Sequence, residues 1–355
     1  MLALVIALQQ PVADSSPFRP LPLPPPTPAR SASGAPGPRY WQQRADYVLE
    51  ATLDTATNTL KGRGRIYYVN RSPETLSYVW VQLDQNLFAP PSSNAPPPPP
   101  PPLKFAGGVV FDFTGRGFVG GIRIDRFAVG GRRLKTSVQR TMMRVELPRP
   151  LAPNGKITFD VAWRLPIPPY GAGRMGRVGS RFYELGQWYP RMAVYDDVHG
   201  WNTLPYLGAG EFYLEFGDFD VSLTLPAGFQ VAATGWLQNP SVVRAPPELA
   251  RLKRAFDAPG QVVSVITRQE AIANATKKVP GTRTWRFSAS NVRDFAWAAG
   301  PDLRWDVSVW NGIVVQTFYH PDATPWEEAN TMLRFPLRHF SGALGPYPLP
   351  QITAV

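Results

Sequence analysis

Proline constrains this chain more than any other residue. It occurs 41 times, alongside 30 glycines, in 355 residues. Proline lacks a backbone N–H and clashes inside helices, so this content excludes a helical bundle and favours strands, turns and linkers. Residues 11–38 read as a linker rich in Pro, Ser, Ala and Gly, with no periodicity. Pro96 to Pro102 form an unbroken run of proline, which predicts extended polyproline II. That run could present a ligand to an aromatic-lined groove of a protein partner. It reads better as a surface insertion between strands, because nothing else in the chain points to such a partner.

Between the proline-rich stretches the apolar residues alternate. Tyr47, Leu49, Ala51 and Leu53 share one face, and Leu60 to Asn70 supplies a partner across the turn at 54–59. Further strands are predicted at 78–83, 121–129, 142–147, 156–163, 219–225, 229–234, 284–289, 295–299, 307–309 and 313–319. Short strands at this spacing, without helical crossovers, predict a mostly β fold, an antiparallel β-sandwich or saddle. The 11 Trp, 13 Tyr and 19 Phe suit its interior.

Only two segments read as helices. One covers Glu248 to Phe256. The other starts at Thr324, with Pro325 in the first helical position and Glu327 placed for a capping box. Trp326, Ala329, Leu333, Leu337, Phe340 and Leu344 then recur at helical spacing and predict one buried face. Pro336 should kink this helix near Met332, and Gly342 or Gly345 should end it.

Charge and motifs exclude several functions. The chain has 37 bases against 26 acids, a net charge of +11. The bases are mostly scattered arginines, broken only by short pairs such as Arg132-Arg133 and Lys277-Lys278, so no nucleic-acid role is expected. There is no Cys, hence no disulfide, thiolate zinc site or cysteine nucleophile. Histidine occurs only at 199, 320 and 339, and His-Glu-x-x-His and Gly-x-Ser-x-Gly are both absent. Asp196-Asp197-Val198-His199 reads as an Asp-capped turn rather than a cation site. Asp218 and Asp220, alternating along a strand edge, are read in the same way. Gly171 to Gly176 fits Gly-x-Gly-x-x-Gly but lacks the flanking strand and helix of a dinucleotide site, so it reads as a loop. No pair of carboxylates stands out for glycoside hydrolysis. No apolar run reaches the roughly 18 residues of a membrane span. Met1 to Leu8 is short and apolar, like the core of a secretory signal without its basic start, and predicts an exported, periplasmic or extracellular protein.

On chemistry alone the chain is a β-rich binding or scaffold unit. Several stretches nevertheless resemble the aminopeptidase-N-like zinc metallopeptidases, the gluzincins, and their bacterial branch in particular. The clearest is Gln187-Trp188-Tyr189-Pro190-Arg191-Met192-Ala193-Val194-Tyr195-Asp196-Asp197, continuing to Gly200-Trp201-Asn202-Thr203. Phe216 to Val221, Leu225 to Gly228, Val231 to Gly235, Tyr47 to Leu83, and Ser290 to Ala298 are similar as well, and they fall in the family's order. Thr324 to Gly345, followed by Pro346-Tyr347-Pro348-Leu349-Pro350, resembles the opening of the family's catalytic domain.

The resemblance implies a layout. Residues 1–39 would be a signal remnant and linker, 40–303 an amino-terminal β-saddle domain with a Pro-rich loop at 90–102, and 304–355 the first strands and helix of an incomplete thermolysin-like α/β domain. In the family, zinc and the residues that cut peptides lie beyond this region. The chain is therefore expected to be an inactive amino-terminal part of a peptidase that removes amino-terminal residues from peptides. It should hold no cofactor itself, with zinc bound in the completed enzyme. Gln187 is the residue the resemblance offers for substrate binding. No other catalytic or metal residue carries over. The apolar face of the last helix is expected to lack part of its cover. The rival reading is a noncatalytic saddle that binds proteins by its sheet edges or polyproline loop. A third, a basic surface-binding module, rests on charge alone.

Overall fold

The computed structural model describes residues 25–90, 103–104, 110–111, 117–169, 174–206 and 212–355. The apolar start, the polyproline run and residues 171–173 of the expected Gly171–Gly176 loop lie outside them, while Met175 and Gly176 open a strand, Met175–Val178. The chain divides into two units, Met1–Trp41 and Gln42–Val355. In the first, Arg30 and Pro36 form an isolated bridge, and the Arg30 guanidinium lies 4.9 Å from the Tyr40 ring centroid.

The second unit is built on an eight-stranded sheet. Its strands run in the order Trp236–Leu237, Thr282–Val292, Gly217–Pro226, Arg44–Asp54, Thr59–Val69, Lys156–Pro166, Arg123–Val129 and Arg132–Arg133. Alternation decides its faces. Tyr47, Leu49, Ala51 and Leu53 are buried, and their neighbours Val48, Glu50 and Thr52 are exposed. Phe219, Val221, Leu223 and Leu225 repeat the pattern. The sheet is not wholly antiparallel, however. Arg44–Asp54 pairs in parallel with Gly217–Pro226, with Tyr47 opposite Phe219. Period-two patterning fixes which face a residue takes, not which strand lies beside it. The joint between these two strands is therefore made by residues far apart in sequence.

Three four-stranded sheets and two strand pairs, Tyr195–Asp196 with Gly200–Trp201 and Leu103–Lys104 with Val110–Phe111, make up the rest of its described sheet structure. Met175–Val178, Phe182–Leu185, Trp297–Gly300 and Gln230–Ala233 form one. Arg191–Met192, Leu76–Gln82, Met142–Leu151 and Thr136–Gln139 form another. Val263–Ile266, Arg304–Trp310, Ile313–Tyr319 and Gln351–Ala354 form the third, whose last strand is parallel. Helices Pro246–Asp257 and Arg268–Thr276 pack on this third sheet through Ala255 and Ala271. Arg244 is held between Trp285 of the large sheet and Trp305 of the third, at 4.7 and 4.1 Å from the ring centroids. Burial lowers its pKa to about 10.

Helix Arg268–Thr276 was not expected. Its signal is Thr267-Arg268-Gln269-Glu270, in which the Thr267 hydroxyl accepts from the Glu270 N–H and the Glu270 carboxylate accepts from the Thr267 N–H. The short helix Pro240–Val243 was also missed. The capping box expected at Thr324 does not form. Thr324–Glu328 is a 3-10 turn with no side-chain cap, because Glu327 is taken by Arg304 at 2.5 Å.

Helix Ala329–Leu344 follows, with Pro336 inside it and Gly345 at its end with φ +111°. Its expected buried face is covered only in part. Leu337 is buried against Ile313 and Val315, but Phe340 is 54% and Leu344 82% exposed. Met332 and Phe335 are exposed too, and His339 stacks on Phe335. Replacing Phe335, Phe340 and Leu344 together with Gln is expected to reduce self-association at high concentration. Stability should move by no more than about 0.5 kcal/mol per site, since these side chains are already in water. Sedimentation velocity and a urea melt check both halves. Among the described residues no helix is long and apolar enough to cross a membrane.

Candidate functional site

The segment that carries the family resemblance forms the polar and aromatic centre of the second unit. Trp188 and Tyr189 are fully buried, among Tyr47, Phe219, Phe295 and Trp297. Two indoles lock the segment. Trp163 Nε1 donates to the Trp188 carbonyl at 2.9 Å, and Trp188 Nε1 donates to the Phe295 carbonyl at 2.8 Å. The Met192 N–H donates to the Tyr47 hydroxyl at 2.9 Å. These three buried donors are thus satisfied by groups distant in sequence.

Arg191 is 1% exposed and sits between two carboxylates. Its Nη1 donates to Asp294 Oδ2 at 2.7 Å, and its Nη2 lies 2.7 Å from Asp84 Oδ2. The second contact is an ion contact, not an aligned hydrogen bond, and Arg191 Nε has no hydrogen-bond partner among the described residues. Tyr189 donates its hydroxyl hydrogen to Asp294 Oδ1 at 2.6 Å. The guanidinium also faces the Phe212 ring at 4.9 Å. Burial opposes the charge on Arg191, but Asp84 and Asp294 outweigh it and its pKa is raised. Burial pushes the Asp84 carboxyl up, with Arg191 pulling against it.

Asp84, Gln85 and Asn86 come from the 3-10 turn Asp84–Phe88, and all three are buried. Asn86 Oδ1 accepts from the Ile122 N–H, which ties that turn to the loop before strand Arg123–Val129. Gln187, the expected substrate contact, is 2% exposed and adopts φ +53°. Its Oε1 lies 3.4 Å from Gln85 Nε2, and its side chain also neighbours the Tyr206 hydroxyl. Gln187 therefore belongs to the buried network around Arg191.

A second polar group lies along the same segment. Asp196 Oδ1 accepts the N–H groups of Val198 and His199, as the expected turn requires, and Tyr213 donates to its Oδ2. Asp218 caps another junction, accepting from the Asn291 N–H and pairing with Arg44. Glu215 is largely buried, and its carboxyl is pushed up to about 7 by burial and by the charge of Asp196. The Tyr195 and Gln43 N–H groups and Arg293 work in the other direction. Tyr195 donates to Glu74 in a short hydrogen bond.

The described residues do not fit a zinc site. Among the described residues no group of three His, Cys, Asp or Glu side chains is placed to hold a metal. His199 and His320 are both exposed, and His339 stacks on the outward face of the last helix. Among the described residues of the polar network no Ser or Thr hydroxyl is paired with a base either. What it does is hold charges and dipoles in fixed places. Sequence reasoning found the segment from Gln187 to Asp197 but missed Asp84, Asp294 and Glu215. Asp84-Gln85-Asn86, three polar residues directly after an apolar strand, was the available signal.

No protein-family model matches the sequence, and no curated protein matches it. Solved structures do. An M1 zinc metallopeptidase from Deinococcus radiodurans, a mutant bound to a Tyr-Ser-Ala substrate, aligns with a TM-score of 0.48 and 17% identity. The alignment covers 88% of this chain and 56% of that one. A two-domain M1 zinc metallopeptidase mutant bound to L-tryptophan gives 0.47 and 16%, over 90% and 58%. A further structure of the Deinococcus radiodurans M1 zinc metallopeptidase gives 0.46 and 17%, over 88% and 55%. The chain thus spans less than two thirds of each.

Proposed function

We propose that this chain is the amino-terminal β part of an aminopeptidase-N-like zinc metallopeptidase, and that peptide hydrolysis and zinc binding belong to residues outside it. The observation that carries this reading is the segment Gln187 to Asp197. It is the stretch most similar to the family, and its Trp188, Tyr189 and Arg191 are among the largest fully buried side chains. The sequence contains no His-Glu-x-x-His, and no set of ligands among the described residues fits zinc.

In the completed enzyme, Gln187 is the proposed contact for peptide substrate, its carboxamide already oriented by Gln85 and Tyr206. Export is proposed on the apolar residues 1–8 and the Pro-rich stretch after them. The purified chain should release no amino-terminal residue from aminoacyl-aminomethylcoumarin substrates and should carry no stoichiometric zinc by atomic emission. Turnover by the chain alone, or one zinc per chain, would overturn the reading.

A further inference from the structure

The solvent face of the eight-stranded sheet is the other built feature, and it owes nothing to the resemblance. Register places side chains across it in two rows. One runs Thr284, Thr224, Thr52, Lys61 and Arg164 on successive strands. The other runs Arg286, Ser222, Glu50 and Arg63. The central strands carry mostly short hydroxyl side chains, and the strands to either side carry long basic ones. The difference in length leaves a hollow of about 730 Å³, within the usual size of a small-molecule site.

The charges in it are partly spent. Arg63 pairs with Glu50 at 2.6 Å, and Arg164 grips Asp125 with two hydrogen bonds of 2.8 and 2.7 Å. That leaves Lys61 and Arg286, which form no ion pair among the described residues. Asp54 acts on Lys61 only at a distance. The strands of these two residues are three spacings apart, about 14 Å. Between them the Thr224 and Thr284 hydroxyls bond each other at 2.9 Å, and Ser222 and Thr52 add further donors and acceptors.

We propose that this hollow binds a small polyol bearing phosphate or sulfate groups. Lys61 and Arg286 take its anionic ends, and the hydroxyl floor takes its hydroxylated middle. Two separated cations with neutral hydroxyl groups between them match an anion at each end of a sugar-like frame. A single compact anion would reach only one of them.

Isothermal titration of the full chain with inositol hexakisphosphate and with sucrose octasulfate tests this. One molecule of at least one probe should bind per chain, more weakly as salt is raised. Binding of the hexakisphosphate alone assigns phosphate, and of the octasulfate alone assigns sulfate. Lys61→Ala combined with Arg286→Ala should lower affinity at least about tenfold. Thr224→Val should lower it too, which attraction to net charge alone would not produce. Lys61 and Arg286 are exposed and Thr224 is half-buried, so circular dichroism should be unchanged and melting should move only slightly. No binding of either probe overturns the proposal. So does unchanged affinity in the double variant, or an equal loss in a Lys277→Ala, Lys278→Ala control.

Discussion

Replacing Arg191 with methionine destabilises the protein by about 3–5 kcal/mol in urea unfolding, the cost of breaking a buried ion pair from one side. Asp84 is then left 5% exposed with no cation beside it. Its carboxyl, already pushed up by burial, loses the charge that pulled it back. Asp294 keeps the Tyr189 hydroxyl and its own chain's Phe295 N–H, so it suffers less. Removing the acid as well should recover much of the loss. Arg191→Met with Asp84→Leu is expected to lie clearly above Arg191→Met alone, because a buried pair replaced by apolar groups is often close to neutral. A double variant no more stable than the single one would show that Arg191 acts by packing against Phe212 and not by pairing.

The same residue shows what the sequence makes legible. Trp188-Tyr189-Pro190-Arg191 is conspicuous as a local string, and the alternation in Tyr47 to Leu53 places whole strands on the correct face. Both are short-range patterns. Arg191 is one arginine among many, and its partners lie 103 and 107 positions away in the chain. Charge patterning has no term for such distances. The parallel joint of Arg44–Asp54 with Gly217–Pro226 was hidden for the same reason.

The helices show the converse failure. Thr324, Pro325 and Glu327 satisfy the local rule for a helix start, yet tertiary competition from Arg304 removes Glu327. At Thr267 and Glu270 the same rule holds, and there Arg251 supports it by gripping the Glu270 carboxylate. Spacing likewise announced an apolar stripe from Trp326 to Leu344, but burial requires a neighbour. Only the part of the stripe over Ile313 and Val315 has one. A pattern read from one segment states what that segment is able to bury, and the rest of the fold decides what it does bury.

Glu215→Gln is the second large effect, and it appears as a change in pH dependence. The folded carboxyl titrates near 7, whereas an unfolded glutamate titrates near 4.3. Between those values the folded state binds the proton and the unfolded state does not. Stability from this group is therefore complete below about pH 4.3 and is lost as pH rises through 7. A shift of this size corresponds to on the order of 3 kcal/mol. The glutamine variant has no such proton to lose. Its stability relative to the parent should rise between pH 5 and pH 8 by most of that amount, the rest being lost below pH 5. Asp196→Asn should produce part of the same gain, since the Asp196 charge follows burial as a cause of the upward shift. Urea melts of parent and variants at pH 5, 6, 7 and 8 measure the difference directly. Parallel curves for parent and Glu215→Gln would mean that Glu215 is ionised in the folded protein throughout. The Tyr195 and Gln43 N–H groups and Arg293 would then outweigh its burial.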